Sequence, residues 1–145
     1  MKRLIFSLAC IVSIAAAGSP AFGQQSRGLK IEFQGPGGHS SGAYGRVSAL
    51  HAAARAVILI QKALPAGSYQ ITNLTGGNSV NAIASDGLIE LKLTAGSATA
   101  YQALVTAVTK AAAEGAAAEN AFRGVKAGDL TSGAPATVRS VVTPF

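Results

Sequence analysis

The stretch that decides the fold is Leu29-Lys30-Ile31-Glu32-Phe33-Gln34-Gly35-Pro36-Gly37-Gly38-His39. Apolar and polar residues alternate strictly from Leu29 to Gln34, which is the pattern of a strand with one buried face. The strand must stop at the glycine-rich segment, because Pro36 has no N–H for a strand ladder and glycine permits positive φ. The sequence therefore predicts an amphipathic strand followed by a loop that carries His39.

The next segment changes from the period of a strand to the period of a helix. Between Tyr44 and Leu64 the apolar residues recur at helical spacing, and the charged and amide side chains lie mostly off that stripe. Pro65 and Gly67 follow directly and are typical of a helix end. We therefore expect one long amphipathic helix over residues 44–64.

The second half of the chain predicts two more strands, a helix and a final strand. Residues 69–75 form a less regular strand that ends in a turn or bulge at residues 76–78, and residues 89–94 alternate clearly. Ser97 is a suitable N-cap for a second helix, and residues 137–142 predict a short last strand. This order indicates an α+β fold, a two-layer ferredoxin-like sandwich with an antiparallel four-stranded sheet and both helices on one face.

The beginning of the chain has the pattern of a secretory signal peptide. A short basic start precedes an apolar stretch over residues 4–17, and a small-x-small cleavage segment follows at residues 21–23. An apolar stretch of about 14 residues is shorter than the roughly 20 that a membrane-spanning helix needs. We therefore expect residues 1–23 to be removed, and residues 24–145 to form one domain that is periplasmic or secreted.

Charge and cysteine content restrict the partners of the predicted mature chain. Cleavage would remove Lys2, Arg3 and Cys10, so the net charge would fall from +6 to +4 and no cysteine would remain. An exported protein without cysteine has no disulfide, so its stability must come from packing. The basic residues are scattered singly, whereas nucleic acids and anionic membranes are bound by clustered charge. We therefore expect neither nucleic acid nor membrane as a partner.

Few residues could carry metal chemistry. The only histidines are His39 and His51. A catalytic zinc site usually takes three protein ligands, often in close pairs such as His-x-x-x-His. Neither histidine has an acidic or second histidine partner at such a spacing, and the six carboxylates are scattered. We therefore expect no metal ligands here, no cofactor, and no catalysis by the chain on its own.

A triad of serine, histidine and acid is an alternative, with Ser40 or Ser41 and His51 as members. The Gly-x-Ser-x-Gly pattern of a nucleophile elbow is absent, so ordinary loop serines are the simpler interpretation. We interpret His51 as a helix-edge or interface residue. His39 differs, because its glycine neighbours can present the imidazole outward, where it could donate to a developing oxyanion.

Two glycine motifs, at residues 35–45 and 76–83, resemble the dimerisation (lid) domain of metallopeptidase family 20. That family includes tripeptidases, aminoacylases and glutamate-releasing carboxypeptidases. The motifs fall after the first predicted strand and between the second and third, and the resemblance is best over residues 30–93. It implies the ferredoxin-like lid fold and a homodimer made through the first helix and an edge strand.

The same resemblance implies roles for four residues. In complete members of the family, the lid histidine reaches across the dimer to steady the reacting carbonyl, and an asparagine of the second motif helps to bind substrate. These roles fall to His39 and Asn81, and Gly76 and Gly77 shape the loop. The zinc ligands and the catalytic glutamate of the family lie in another domain, so zinc is expected only if a separate catalytic domain is engaged.

The sequence also departs from the family pattern in the lid. Ala84 stands where a proline is expected, and Lys92-Leu93-Thr94 replaces the Asp-x-Arg that usually closes the third strand. The expected function is therefore an exported, stand-alone dimerisation domain without the zinc catalytic domain. Two alternatives are a module that binds small peptides or N-acyl amino acids, and a lid that supplies His39 in trans to a separate zinc hydrolase domain.

Overall fold

A computed structural model describes Gly23 and residues 25–145. Apart from Gly23, the predicted signal peptide over residues 1–23 lies outside the described residues. The elements in chain order are β1 (Gln25–Gln34), β2 (Gly38–His39), α1 (Ala49–Ala63), β3 (Tyr69–Thr75), β4 (Ala82–Ile83), β5 (Asp86–Ala95), α2 (Ala98–Phe122), β6 (Leu130–Thr131), β7 (Ala134–Pro135) and β8 (Arg139–Pro144).

The main sheet has four antiparallel strands in the order β3-β5-β1-β8. The central strand β1 pairs with β5 along its whole length, so that Leu29 lies opposite Leu91 and Ile31 opposite Ile89. These four side chains are fully buried beneath the helices. The alternation in β1 therefore marks the core face, and the predicted α+β, ferredoxin-like fold is confirmed.

Small residues let the two helices approach each other closely. The contact is made by alanines of α1 and α2 and by Gly115 of α2. A β-carbon on Gly115 would lie 2.8 Å from the carbonyl oxygen of Ala52 and 2.8 Å from the nitrogen of Ala56. Interiors pack densely and no free space remains there, so the two helix backbones touch at this point.

Of the helices in the described residues, neither is long and apolar enough to cross a membrane.

The prediction that the first helix starts at Tyr44 was wrong, because α1 begins at Ala49. Gly45 has a φ of 88°, in the left-handed region that interrupts a helix. Ser48 is the N-cap, and its hydroxyl accepts a hydrogen bond from the backbone N–H of His51 at 3.4 Å. Tyr44 therefore belongs to an exposed loop, and only the predicted end of the helix, before Pro65, was right.

The boundaries of two strands also differ from the predicted ones. Strand β5 begins at Asp86, three residues before its predicted start, and β8 spans residues 139–144 rather than 137–142. Ser97 caps α2 as predicted, its hydroxyl accepting from the N–H of Ala100. A short hairpin of β6 and β7 occupies residues 130–135, between α2 and β8.

The irregular alternation of β3 has a structural cause. The pairing with β5 shifts between Ile71 and Asn73, which leaves Thr72 as the extra residue of a β-bulge. The Thr72 hydroxyl donates to the carbonyl of Glu90 at 3.1 Å. The bulge changes the parity of the strand, so that Leu74 lies opposite the buried Ile89 on the helix side of the sheet but stays exposed at the sheet edge.

Candidate functional site

The two glycine motifs meet in space. Strands β2 and β4 form a short antiparallel ladder in which Gly38 lies opposite Ile83 and His39 opposite Ala82. The loop after β2 is tied to the same place, because the Ser40 N–H donates to the Asn81 carbonyl at 2.9 Å. His39 and Asn81, which the sequence singled out separately, are therefore neighbours.

The side chains of this pair are in direct contact. The amide nitrogen of Asn81 lies 3.1 Å from Nε2 of His39, and the hydroxyl of Ser41 lies 2.8 Å from Nδ1. The Ser79 hydroxyl donates to the amide oxygen of Asn81. An amide nitrogen only donates, so Nε2 accepts from Asn81 in this arrangement. Nδ1 faces two groups of Ser41, the hydroxyl and the backbone N–H, which donates to it at 3.3 Å.

This arrangement sets what His39 can do. The imidazole is exposed, but Nε2 is the atom that Asn81 occupies. Any external acceptor would have to displace the Asn81 amide before Nε2 could donate to it. Ser41 bonds to His39 rather than to His51, so the triad of Ser41 with His51 that the sequence left open does not form.

Gly76 and Gly77 let the second loop turn tightly against the start of β5. A β-carbon on Gly76 would lie 2.5 Å from the carbonyl oxygen of Asp86, a distance at which nonbonded atoms repel strongly. Gly77 has a φ of 72°, in the left-handed region. The close approach at Gly76 and the positive φ at Gly77 allow the loop to turn so that Asn81 lies next to His39.

A cleft of about 640 Å³ lies beside the pair. The loop over residues 76–84 forms one wall, and the segment from Tyr44 to the first turn of α1 forms another. Arg46, His51 and Arg123 all line it, and none of its described lining residues is acidic. We call this space the basic cleft.

One wall of the basic cleft rests on a buried carboxylate that the sequence analysis missed. Glu119 of α2 is 0% exposed. It accepts hydrogen bonds from the Ser48 N–H at 3.1 Å, from Nε of Arg55 at 3.1 Å and from Nε of Arg123 at 3.3 Å. Nδ1 of His51 lies 3.8 Å away. These partners offset the cost of burying the charge, so Glu119 joins the start of α1 to the end of α2.

The sequence did contain a signal for this residue. Ala112, Ala116 and Glu119 follow each other at i, i+4 and i+7, and all three are buried. A carboxylate on the buried stripe of a helix needs cationic partners, and Arg123 stands one turn further along. The alanine-rich composition of α2 concealed this stripe, because its polar face and its buried face differ little in hydrophobicity.

In the part of the chain that the structure describes, no three histidine, cysteine, aspartate or glutamate side chains come close enough together to hold a metal ion.

Comparison with known families gives one match. A family model described as a peptidase dimerisation domain matches residues 24–120. The matched segment contains both glycine motifs, the pair of His39 and Asn81, and Glu119. A comparison with curated proteins gives no match.

Solved structures share the fold. A hydantoinase/carbamoylase family amidase from Burkholderia ambifaria has a TM-score of 0.63 and 20% identity, over 86% of this chain and 28% of that one. A tripeptidase from Staphylococcus aureus has a TM-score of 0.63 and 17% identity, over 84% of this chain and 29% of that one. A dinuclear metal binding peptidase from Bacillus subtilis has a TM-score of 0.56 and 17% identity, over 84% and 26%. The chain spans less than a third of each.

Proposed function

Because the chain belongs to the peptidase dimerisation domain family, we propose that it pairs with a second copy of itself through α1 and β3 and performs no catalysis alone. The observation that carries this proposal is an apolar flank of α1 beside a free strand edge. Three features of the described residues support it.

The first feature is the edge itself. Strand β3 is the outer strand of the sheet and pairs with β5 alone. Its outward N–H and C=O groups are a template for a further strand. It contains no charged residue and no proline, whereas the opposite edge strand β8 carries both Arg139 and Pro144. Charge and proline protect an edge from pairing, so β3 is the better edge for strand addition.

The second feature is the flank of α1 that faces away from α2. Ala52 and Ala56 lie against Gly115 of α2, and the opposite flank carries Leu50, Ala54 and Val57 at helical spacing. We call this flank, together with the neighbouring Ile58 and with Leu74 of β3, the edge surface. Ile58 is 52% exposed and Leu74 is 43% exposed. A second copy would cover this apolar area.

The third feature is geometric compatibility. Two β3 strands placed edge to edge in antiparallel orientation would join two sheets into one and bring two α1 helices side by side. Strand pairing would satisfy the free backbone groups, and the helix contact would bury the edge surface. The pairing would be symmetric, because the same patch serves on both copies.

Sedimentation equilibrium of the purified protein, over concentrations from low to high micromolar, tests the proposal. We expect a mass of two chains at the upper end. A single-chain mass at high micromolar concentration would contradict it. We also propose that the protein is exported, on the pattern of residues 1–23; cell fractionation with N-terminal sequencing of the exported form tests this part separately.

A second function is favoured by the contact between His39 and Asn81. The resemblance gives both of these side chains roles toward substrate. They are exposed and in contact with each other, an arrangement that suits a module that holds small peptides or N-acyl amino acids. The same pair would suit a lid that offers His39 in trans to a separate zinc hydrolase domain. Calorimetric titration with such ligands tests the first version. Activity that appears only on mixing with a catalytic domain, and is lost in His39→Ala, tests the second.

A further inference from the structure

The basic cleft carries charged and apolar groups that neither the core nor the proposed dimer requires. We propose that it binds a small molecule with one carboxylate and one apolar substituent, held by Arg46 and Arg123 at the charged end. The proposal does not use His39, and of the cleft residues that it uses, only Leu50 also belongs to the edge surface.

Arg46 supplies the first anion contact. Two of its N–H groups donate to neutral oxygens, the Gly37 carbonyl at 3.2 Å and the Ser132 hydroxyl at 3.0 Å. A guanidinium has five donors and a full positive charge, so three donors remain for a ligand. Among the described residues, the ion pairs within 4.0 Å do not include Arg46. The side chain is thus held in position while its charge is not neutralised by a carboxylate.

Arg123 supplies the second contact. Its Nε donates to Glu119, and its guanidinium lies 4.9 Å from the centre of the Phe122 ring. The side chain of Arg55 donates to the same carboxylate, and its guanidinium lies 5.0 Å from the centre of the same Phe122 ring. One buried carboxylate therefore serves two arginines, and the cluster keeps an excess of positive charge. Side chains that hydrogen bonds already hold in place lose little further conformational entropy when a ligand binds.

The apolar end of the ligand would contact the rim of the basic cleft. Tyr44 and Val80 both line it and are among the most exposed large apolar side chains of the described residues. Leu50 also lines it. A volume of about 640 Å³ is within the range of ligand pockets, which are mostly apolar with a few placed polar groups. Basic groups with an apolar rim match an amphipathic carboxylate better than a free inorganic anion.

The experiment is an NMR titration of the full protein with 3-phenylpropionate and with its uncharged amide. We expect the acid to shift resonances of residues around the cleft and to bind at least tenfold more tightly than the amide, because a charge-assisted contact is lost in the amide. Equal binding of acid and amide, or no binding of the acid, would overturn the proposal. This comparison needs no variant and so does not depend on how a variant folds.

Variants locate the site. Arg46→Gln should weaken binding of the acid by about tenfold, whereas Lys92→Gln removes the same charge from an exposed strand position and should leave it unchanged. Thermal unfolding by circular dichroism shows whether Arg46→Gln is folded. A folded Arg46→Gln that binds like the wild type, or a loss in Lys92→Gln as large as that in Arg46→Gln, would contradict the assignment.

Discussion

The amide nitrogen of Asn81 lies 3.1 Å from Nε2 of His39, although the two residues are 42 positions apart in the chain. Each stands in its own glycine-rich loop, and the ladder between β2 and β4 brings the loops together. The contact leaves neither imidazole nitrogen without a partner, because Asn81 occupies Nε2 and Ser41 occupies Nδ1.

Asn81→Ala should change the tautomer of His39. Without the amide donor, Nε2 is no longer required to accept, so the population with a proton on Nε2 should rise. Nitrogen-15 NMR of the imidazole, at a pH where the ring is neutral, measures the change. The pair is exposed, so the free energy of unfolding should fall by less than about 1 kcal/mol. Identical ring shifts in wild type and variant would show that the Asn81 contact does not select the tautomer.

Glu119→Gln should destabilise the fold by about 3 kcal/mol, because it leaves two arginines beside a buried site without their counter-charge. Urea unfolding measures the loss. The matched control is Glu114→Gln on the same helix, where the carboxylate pairs only with Lys110 and both side chains are exposed. An exposed pair of this kind contributes about 0 to 0.5 kcal/mol. Equal losses in the two variants would show that the Glu119 network adds nothing to stability.

Gly115→Ala should destabilise the protein by about 1 to 3 kcal/mol, because the added methyl meets helix backbone that cannot move aside. Glycine to alanine within a helix ordinarily stabilises by up to about 1 kcal/mol, so the expected sign is opposite to the usual one. Gly96→Ala is the control, since a β-carbon there meets nothing within 4 Å. A gain of stability at Gly115 would mean that the helices separate easily.

Ile58→Lys should raise the dimer dissociation constant at least tenfold, because it places a charge on the edge surface that the second copy would cover. Sedimentation equilibrium measures the change. Val141→Lys on β8 is the control, since Val141 is 53% exposed, close to the 52% of Ile58, and lies at the other edge of the sheet. A control that dissociates the dimer as much as Ile58→Lys would place the interface elsewhere.

Much of the fold followed from local pattern. The alternation of residues 29–34 and 89–94 predicted two strands with buried faces, and Pro65 marked the end of α1. The start of α1 was missed, because the apolar period continues back into the loop while Gly45 and the Ser48 cap decide where the helix begins. Local backbone geometry overrides periodicity at such boundaries.

The site was predictable only in part. Resemblance singled out His39, Asn81, Gly76 and Gly77 one by one, but nothing in the chain indicated that the histidine and the asparagine touch. Glu119, Arg55 and Arg123 were not singled out, because their association depends on how α1 and α2 pack.

By itself the sequence determined the kind and order of the main elements, because strand alternation, helical period and capping residues are properties of neighbouring positions. It also determined the family, through two glycine motifs. Only the tertiary structure decided that His39 meets Asn81, that Glu119 is buried between two arginines, and that the basic cleft exists. These relationships join residues far apart in the chain, and their distances are set by the sheet register and the close contact at Gly115.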